Sequence, residues 1–306
     1  MESDNNENRI LTKIPGLDEI LCGGFIRNGF YLLQGDPGAG KTTMALQFLL
    51  GCRERGERCL YINLSESQED MQNAARSHGW SLEGVDICDL SLTEKHLKAD
   101  EQYTIFHSAE VELGETTQSI LAEVERARPT VVVFDGLSEV RLLSRDALRY
   151  RRQLMALKQY FASQQITALL LDDRTNPFGE IAPESLVGGN IVLEQYTPEY
   201  GMAHRRLRVT KTRGSDFRSG YHDYQITQGG VIIYPRLVLT DPPVKFDSEP
   251  NYKPDHGTGR DAWQRPGSWN HNCPDRPCRC RQIHTHHAVR RGCAQAGTQS
   301  GHLYFR

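Results

Sequence analysis

"GFYLLQGDPGAGKTTMALQFLLGCRERG", residues 29–56, decides the fold. Phe30 to Gln34 is a short apolar run that reads as a strand. Gly35-Asp36-Pro37-Gly38-Ala39-Gly40-Lys41-Thr42 then matches G-x-x-x-x-G-K-[ST] in full, and Thr43 follows it. Next comes a helical pattern with Met44, Leu46, Phe48, Leu49 and Leu50 on its buried side. Phosphate chemistry explains the combination. The glycines let backbone N–H groups wrap phosphate oxygens, and the loop opens a helix whose N-terminus favours anions. In such a loop Lys41 reaches the β- and γ-phosphates and the Thr42 hydroxyl ligates Mg²⁺. The strand–loop–helix order distinguishes this stretch from a glycine-rich turn that binds nothing, so ATP and Mg²⁺ are the expected ligands.

A metal-supporting strand should follow, and "RPTVVVFDGLSEV" at 128–140 supplies it. Val131 to Phe134 is continuously apolar, as befits a strand buried on both faces of a parallel sheet. Asp135 closes it where open α/β sheets place their ligands, and is expected to hold the Mg²⁺ water shell. Hydrolysis also needs a group that orients or deprotonates water. "CLYINLSESQED" at 59–70 reads as a second strand, expected beside the phosphate-loop strand, and ends in Ser65-Glu66. Glu66 is the candidate base. The competing reading makes it an exposed residue at the start of a helix opened by Ser67.

Composition narrows the class. The 306 residues carry a net charge of -3 and 38% hydrophobic residues, enough for a sizeable core. From His256 onward there are eight Arg, two Asp and only three residues among Ile, Leu and Val. That tail is about +6, which leaves the body near -9, with no basic face to advertise nucleic acid. No run approaches the length of a membrane span, and the opening "MESDNNENR" reads as a disordered lead over 1–8. Cys22, Cys52, Cys59 and Cys88 show no metal spacing and suit reduced thiols in a cytoplasmic protein. Strands are expected near 31–34, 59–63, 85–89, 131–135, 166–171 and 190–194, and helices near 41–54, 67–78, 116–127 and 145–163. In the last helix Leu148, Leu154, Leu157 and Phe161 form the expected core stripe.

With those residues in place, the chain resembles the KaiC-type ATPases of the RecA-like superfamily over about residues 9–240. "TKIPGLDEILCGGFIRNGF" is similar to the family's opening, "ARSHGWSLEG" to the segment after the second strand, and "VTKTRGSDFRSGYHDYQITQGGVIIYPRL" to its closing hairpin region. The resemblance implies a doubly wound, mostly parallel α/β sheet with a C-terminal β-hairpin region. It also implies a ring, typically a homohexamer, in which Lys211 and Arg213 reach the γ-phosphate held by the neighbouring subunit. A signalling or timing role with signalling partners follows from it, as does the alternative of a serine/threonine autokinase. Two departures matter. The family usually has two adjacent carboxylates where Ser65-Glu66 stands, so a single Glu must serve. Ser185 falls near the family's phospho-acceptor position but Leu186 follows it, which favours hydrolysis over autophosphorylation. Asp173-Arg174, after the strand "ITALLLDD", is placed to sense nucleotide state. Two further readings compete: an ATP-gated interaction module with negligible turnover, and a recombinase-like DNA ATPase, which the acidic body argues against.

Residues 241–256 read as a linker. The tail contains "CPDRPCRCRQIHTHH" at 273–287, rich in cysteine and histidine, but its spacing matches no zinc finger, ribbon or knuckle. Read one base further along, permitted codons turn "RPCRCRQI" into "GPAGAGKS", a second phosphate loop. The expectation for 257–306 is a disordered, out-of-frame remnant of a second ATPase domain.

Overall fold

The computed structural model describes residues 8–90, 109–144, 146–174 and 183–237. All of them lie in one compact unit, Met1–Pro242. The expected linker and out-of-frame remnant, and the lead up to residue 7, lie outside the described residues.

The chain enters through a small antiparallel pair, β1 (Arg9–Ile10) and β2 (Phe25–Ile26), around the short helix α1 (Leu17–Ile20). The central layer is a nine-stranded sheet. Its strands are β3 (Phe30–Gly35), β4 (Cys59–Asn63), β5 (Asp86–Asp89), β6 (Val131–Asp135), β7 (Thr167–Asp173), β8 (Gly189–Tyr196), β9 (His204–Thr212), β10 (His222–Thr227) and β11 (Gly230–Tyr234). Their order across the sheet is β11-β10-β9-β8-β3-β7-β6-β4-β5. From β8 to β5 every pairing is parallel, and β9, β10 and β11 extend the sheet antiparallel. The helices are α2 (Lys41–Arg53), α3 (Gln68–Ser77), α4 (Ala109–Ala127), α5 (Leu137–Ser144) and α6 (Ala147–Ser163). None of the described helices is long and apolar enough to cross a membrane.

Strand alternation divides the apolar runs between two cores. Tyr31, Leu33, Val131 and Val133 pack with α2 and α3 on one face, whereas Leu32, Val132, Phe134 and Leu170 pack with α4, α5 and α6 on the other. This two-sided burial is why β3, β6 and β7 read as unbroken hydrophobic runs.

Three expectations change. The second strand does not lie beside the phosphate-loop strand: β7 and β6 stand between β3 and β4. Parallel crossovers free strand order from chain order. The runs buried on both faces take the middle of the sheet, and β5, with the polar pattern "DICD", takes the edge. The last predicted helix, 145–163, is α6, and an unpredicted helix precedes it, because Gly136 turns the chain with φ 120° directly after Asp135 and lets α5 start. A Cβ there would meet Leu64 Cβ at 2.6 Å, so the turn needs glycine. Leu148 is not in the core stripe: it is 61% exposed, and Tyr150 takes the inward place with Leu154, Leu157 and Phe161. Asp146 caps α6, and at about 100° per residue Leu148 stands about 200° around the helix from Tyr150, facing away from the core.

Candidate functional site

The phosphate loop is built where β3 ends. Ala39 N–H donates to Asp36 O at 3.1 Å, closing the turn, and Gly38 (φ 79°) and Gly40 (φ 93°) are both left-handed. A Cβ on Gly38 would meet nothing, while one on Gly40 would meet Ile226 Cδ1 at 2.5 Å. Gly40 is the N-cap of α2 and no side chain caps it, so the helix opens onto the loop with its amides free of a side-chain cap. The antiparallel strands hold this loop from behind. Tyr224, on β10, donates its phenol to Ala39 O at 2.6 Å, and the Gln47 amide bonds Val231 N and O at 2.8 and 3.2 Å.

Lys41, the first residue of α2, folds back over the loop. Its ammonium donates to Gly35 O at 3.0 Å and Asp36 O at 3.3 Å and pairs with Asp173 Oδ1 at 2.6 Å. Asp173 ends β7, and Arg174 beside it pairs with Glu194 at 3.4 Å.

Asp135 closes β6 and is 8% exposed. Tyr61 donates its phenol to Oδ2 at 2.5 Å, and Ser65 donates its hydroxyl to Oδ1 at 3.3 Å. Burial pushes the Asp135 carboxyl up to about 6 against these hydrogen bonds, and the charge of Glu66 adds to the rise. Burial and the Asp135 carboxylate raise the Tyr61 phenol well above its ordinary range. Thr42 opposes the rise in the Tyr61 phenol, so one phenol is coupled to both residues expected at the metal.

Glu66 precedes the helix rather than lying within it: Ser67 caps α3, accepting from Asp70 N at 3.1 Å. The buried Asn63 amide clamps the Glu66 turn. Its Oδ1 accepts from Ser65 N at 3.3 Å and Glu66 N at 3.2 Å, and its Nδ2 donates to Glu66 O. Burial raises the Glu66 carboxyl, Asp70 and Asp173 add to the rise, and Lys41 opposes it. Lys41, Thr42, Glu66 and Asp135 therefore meet at the C-terminal edge of the parallel strands.

Lys211 and Arg213 do not join them. Lys211 pairs with Asn190 in the register that sets Gly35 against Leu193 and Leu193 against Leu207. A bulge at Asn190/Ile191 takes up one residue of β9, so Lys211 sits level with Asn190 and Leu32, three rows from Gly35 and roughly 10 Å along the strands at about 3.3 Å per residue. Its ammonium donates to Glu184 O at 2.9 Å, and burial, with Arg213 and Lys158 nearby, lowers its pKa. Ser185 accepts from Arg151 at 3.3 Å, also away from the loop. Sequence reasoning missed Tyr61, Asn63 and Tyr224. For Asn63 a signal existed: an amide closing an otherwise apolar strand. Tyr224 had none, since its partner Ala39 lies 185 residues away.

The donors present suit a nucleoside triphosphate with magnesium. The left-handed glycines, the uncapped helix and the Lys41 ammonium offer donors to phosphate oxygens. The Thr42 hydroxyl and Asp135 carboxylate are hard oxygen ligands of the kind Mg²⁺ takes together with waters and phosphate oxygens. Among the described residues no group of three or more His, Cys, Asp or Glu could hold a metal by itself.

Comparison with known proteins places these features. Residues 10–238 match the family described as ATPase: KaiC. The circadian clock oscillator protein KaiC of Picosynechococcus sp. is 27% identical over 232 residues, which cover 74% of this chain and 44% of that protein. The chain thus spans less than half the length of these curated relatives. A UPF0273 protein of Thermotoga maritima is 30% identical over 240 residues, 74% of this chain and 96% of that protein. Among solved structures, a KaiC-like protein from Pyrococcus horikoshii OT3 superposes with a TM-score of 0.58 at 23% identity, covering 74% of this chain and 99% of that one. By its family match, its RecA-like mostly parallel sheet and its phosphate loop, the chain belongs to the KaiC ATPase family.

Proposed function

We propose that this protein binds ATP with Mg²⁺ and hydrolyses it slowly, as a cytoplasmic ATPase serving signalling or timing. The observation that carries this reading is the convergence of Lys41, Asp135 and Glu66 at one sheet edge, with Glu66 open to solvent and its carboxyl raised toward basicity. Gly35 to Gly40, with Thr42 and Thr43, wrap the phosphates. Lys41 balances charge on the β- and γ-oxygens. Bound Mg²⁺ supplies neutralisation of the phosphate charge, and Thr42 and Asp135 hold it. Glu66 orients a water and takes its proton during attack on the γ-phosphorus.

The Lys211 and Arg213 position supports a homo-oligomer. They lie too far along the sheet to serve their own loop, and a neighbouring copy, in a hexameric ring, would receive them as charge stabilisers in trans. Lys41→Ala is expected to abolish ATP binding. Glu66→Gln should keep binding but lower phosphate release by roughly 100-fold or more, the range of general-base contributions. Equal release by wild type and Glu66→Gln removes Glu66 from the mechanism.

A second reading, an ATP-gated interaction module with negligible turnover, is favoured by one observation. Ser65 stands where a second carboxylate would be, and its hydroxyl is turned to Asp135. Absence of phosphate release by a wild type that binds ATP would establish it. Autophosphorylation is set aside because Ser185 lacks a following Thr.

A further inference from the structure

An ammonium has three donors, and those of Lys41 are all engaged: Gly35 O at 3.0 Å, Asp36 O at 3.3 Å and Asp173 Oδ1 at 2.6 Å. Two of the acceptors are carbonyls of the loop itself, which a bound phosphate leaves in place. The third is a carboxylate from another strand, and it makes the shortest contact of the three. A phosphate oxygen can take a full donor from Lys41 only by displacing one partner. Displacing Asp173 leaves a carboxylate facing the incoming phosphate. Its neighbours do not offer ready replacement: Arg174 is paired with Glu194 at 3.4 Å, and Arg141 grips Asp172 through both carboxylate oxygens at 2.7 Å.

This conflict depends on the number of phosphates. Lys41 reaches both the β- and γ-positions. With a diphosphate bound the γ-position is vacant, and the Lys41–Asp173 pair can persist. With a triphosphate the carboxylate and the γ-phosphate compete for one ammonium at close range. The pair is partly solvated, with Lys41 12% and Asp173 36% exposed, so the repulsion is neither that of bulk water nor that of a dry interior.

We propose that Asp173 is a nucleotide-discriminating residue: it holds Lys41 when no γ-phosphate is present and so biases the site toward ADP over ATP. The inference rests on the reading of the loop as an ATP site and adds a specificity determinant to it.

The test is equilibrium binding of a non-hydrolysable ATP analogue and of ADP, each with Mg²⁺, to the full chain and its variants by calorimetry. Asp173→Asn removes the charge and keeps the shape. It is expected to tighten the triphosphate about tenfold relative to ADP, the scale of one like-charge contact in a partly solvated site. Asp173→Glu, which keeps the charge, should retain the wild-type ratio, and Asp173→Ser provides a second neutral variant should the amide disturb folding. Equal shifts for both nucleotides in the neutral variants, or a weakened triphosphate, overturn the inference and leave the ATP-site reading intact. A folded wild type that binds neither nucleotide overturns both.

Discussion

Asp135 shows how this site trades stability for chemistry at the scale of one residue. Its carboxyl is 8% exposed, lies beside Glu66, and is pushed up to about 6. A carboxyl raised in the folded state binds its proton more tightly there than in the unfolded chain. Folding stability therefore falls as pH rises from the ordinary carboxylate range to about 6, and the loss is complete above that. In Mg²⁺-free, nucleotide-free buffer, Asp135→Asn should be more stable than wild type at pH 8, by roughly 1–2 kcal/mol given a buried charge removed against some loss of hydrogen bonding. The advantage should shrink toward pH 4, and thermal melts at both values read it. The raised Glu66 carboxyl carries the same sign into activity. Its basic form is lost as pH falls through a raised pKa, so the acid limb of phosphate release should lie higher than an ordinary Glu would place it. Glu66, Asp135 and Lys41 were readable from sequence because each chemistry demands a residue type at a motif-defined place. Tyr61 was not, because its hydrogen bond to Asp135 depends on which strands become neighbours, whereas the local bonds of Asn63 left a signal in an amide closing an apolar strand.

The elements were legible where periodicity is strict and illegible where a single turn changes phase. The runs of β3, β4, β6 and β7 announced themselves because two-sided burial leaves no polar interruption. The stretch after Asp135 did not, since one left-handed glycine starts α5 and Asp146 then restarts the helix as α6. Leu148 lies six residues before Leu154, about 240° around the helix at about 100° per residue, so it falls off the Leu154–Leu157–Phe161 stripe wherever the helix begins. The corrected phase makes a sharp prediction. Leu154→Ala, at 1% exposure in the second core, should cost about 2–5 kcal/mol in denaturant unfolding. Leu148→Ala, at 61% exposure, should stay within about 0.5 kcal/mol of wild type. Comparable losses from both would restore the original stripe.

For the whole molecule, the separation between the two ends of the sheet is the consequential fact. The phosphate loop, Glu66 and Asp135 occupy the C-terminal edge of the parallel strands, while Lys211 lies three rows from Gly35 on the antiparallel β9. If copies complete one another, a Lys41→Ala chain still carries an intact Lys211 and Arg213, and an Arg213→Ala chain still carries an intact loop. Mixing the two inactive variants should recover phosphate release to about a quarter of wild type, since random mixing leaves that share of interfaces whole. No recovery on mixing would exclude action in trans. The sequence by itself determined the fold class, the phosphate loop and the catalytic carboxylate candidates, because local backbone demands and burial on two faces write themselves into residue type and spacing. Only the tertiary structure decided that β4 lies beyond β6 and β7, that Tyr224 braces the loop and that Asp173 holds Lys41. Those depend on strand order, which parallel crossovers leave free until the whole sheet has assembled.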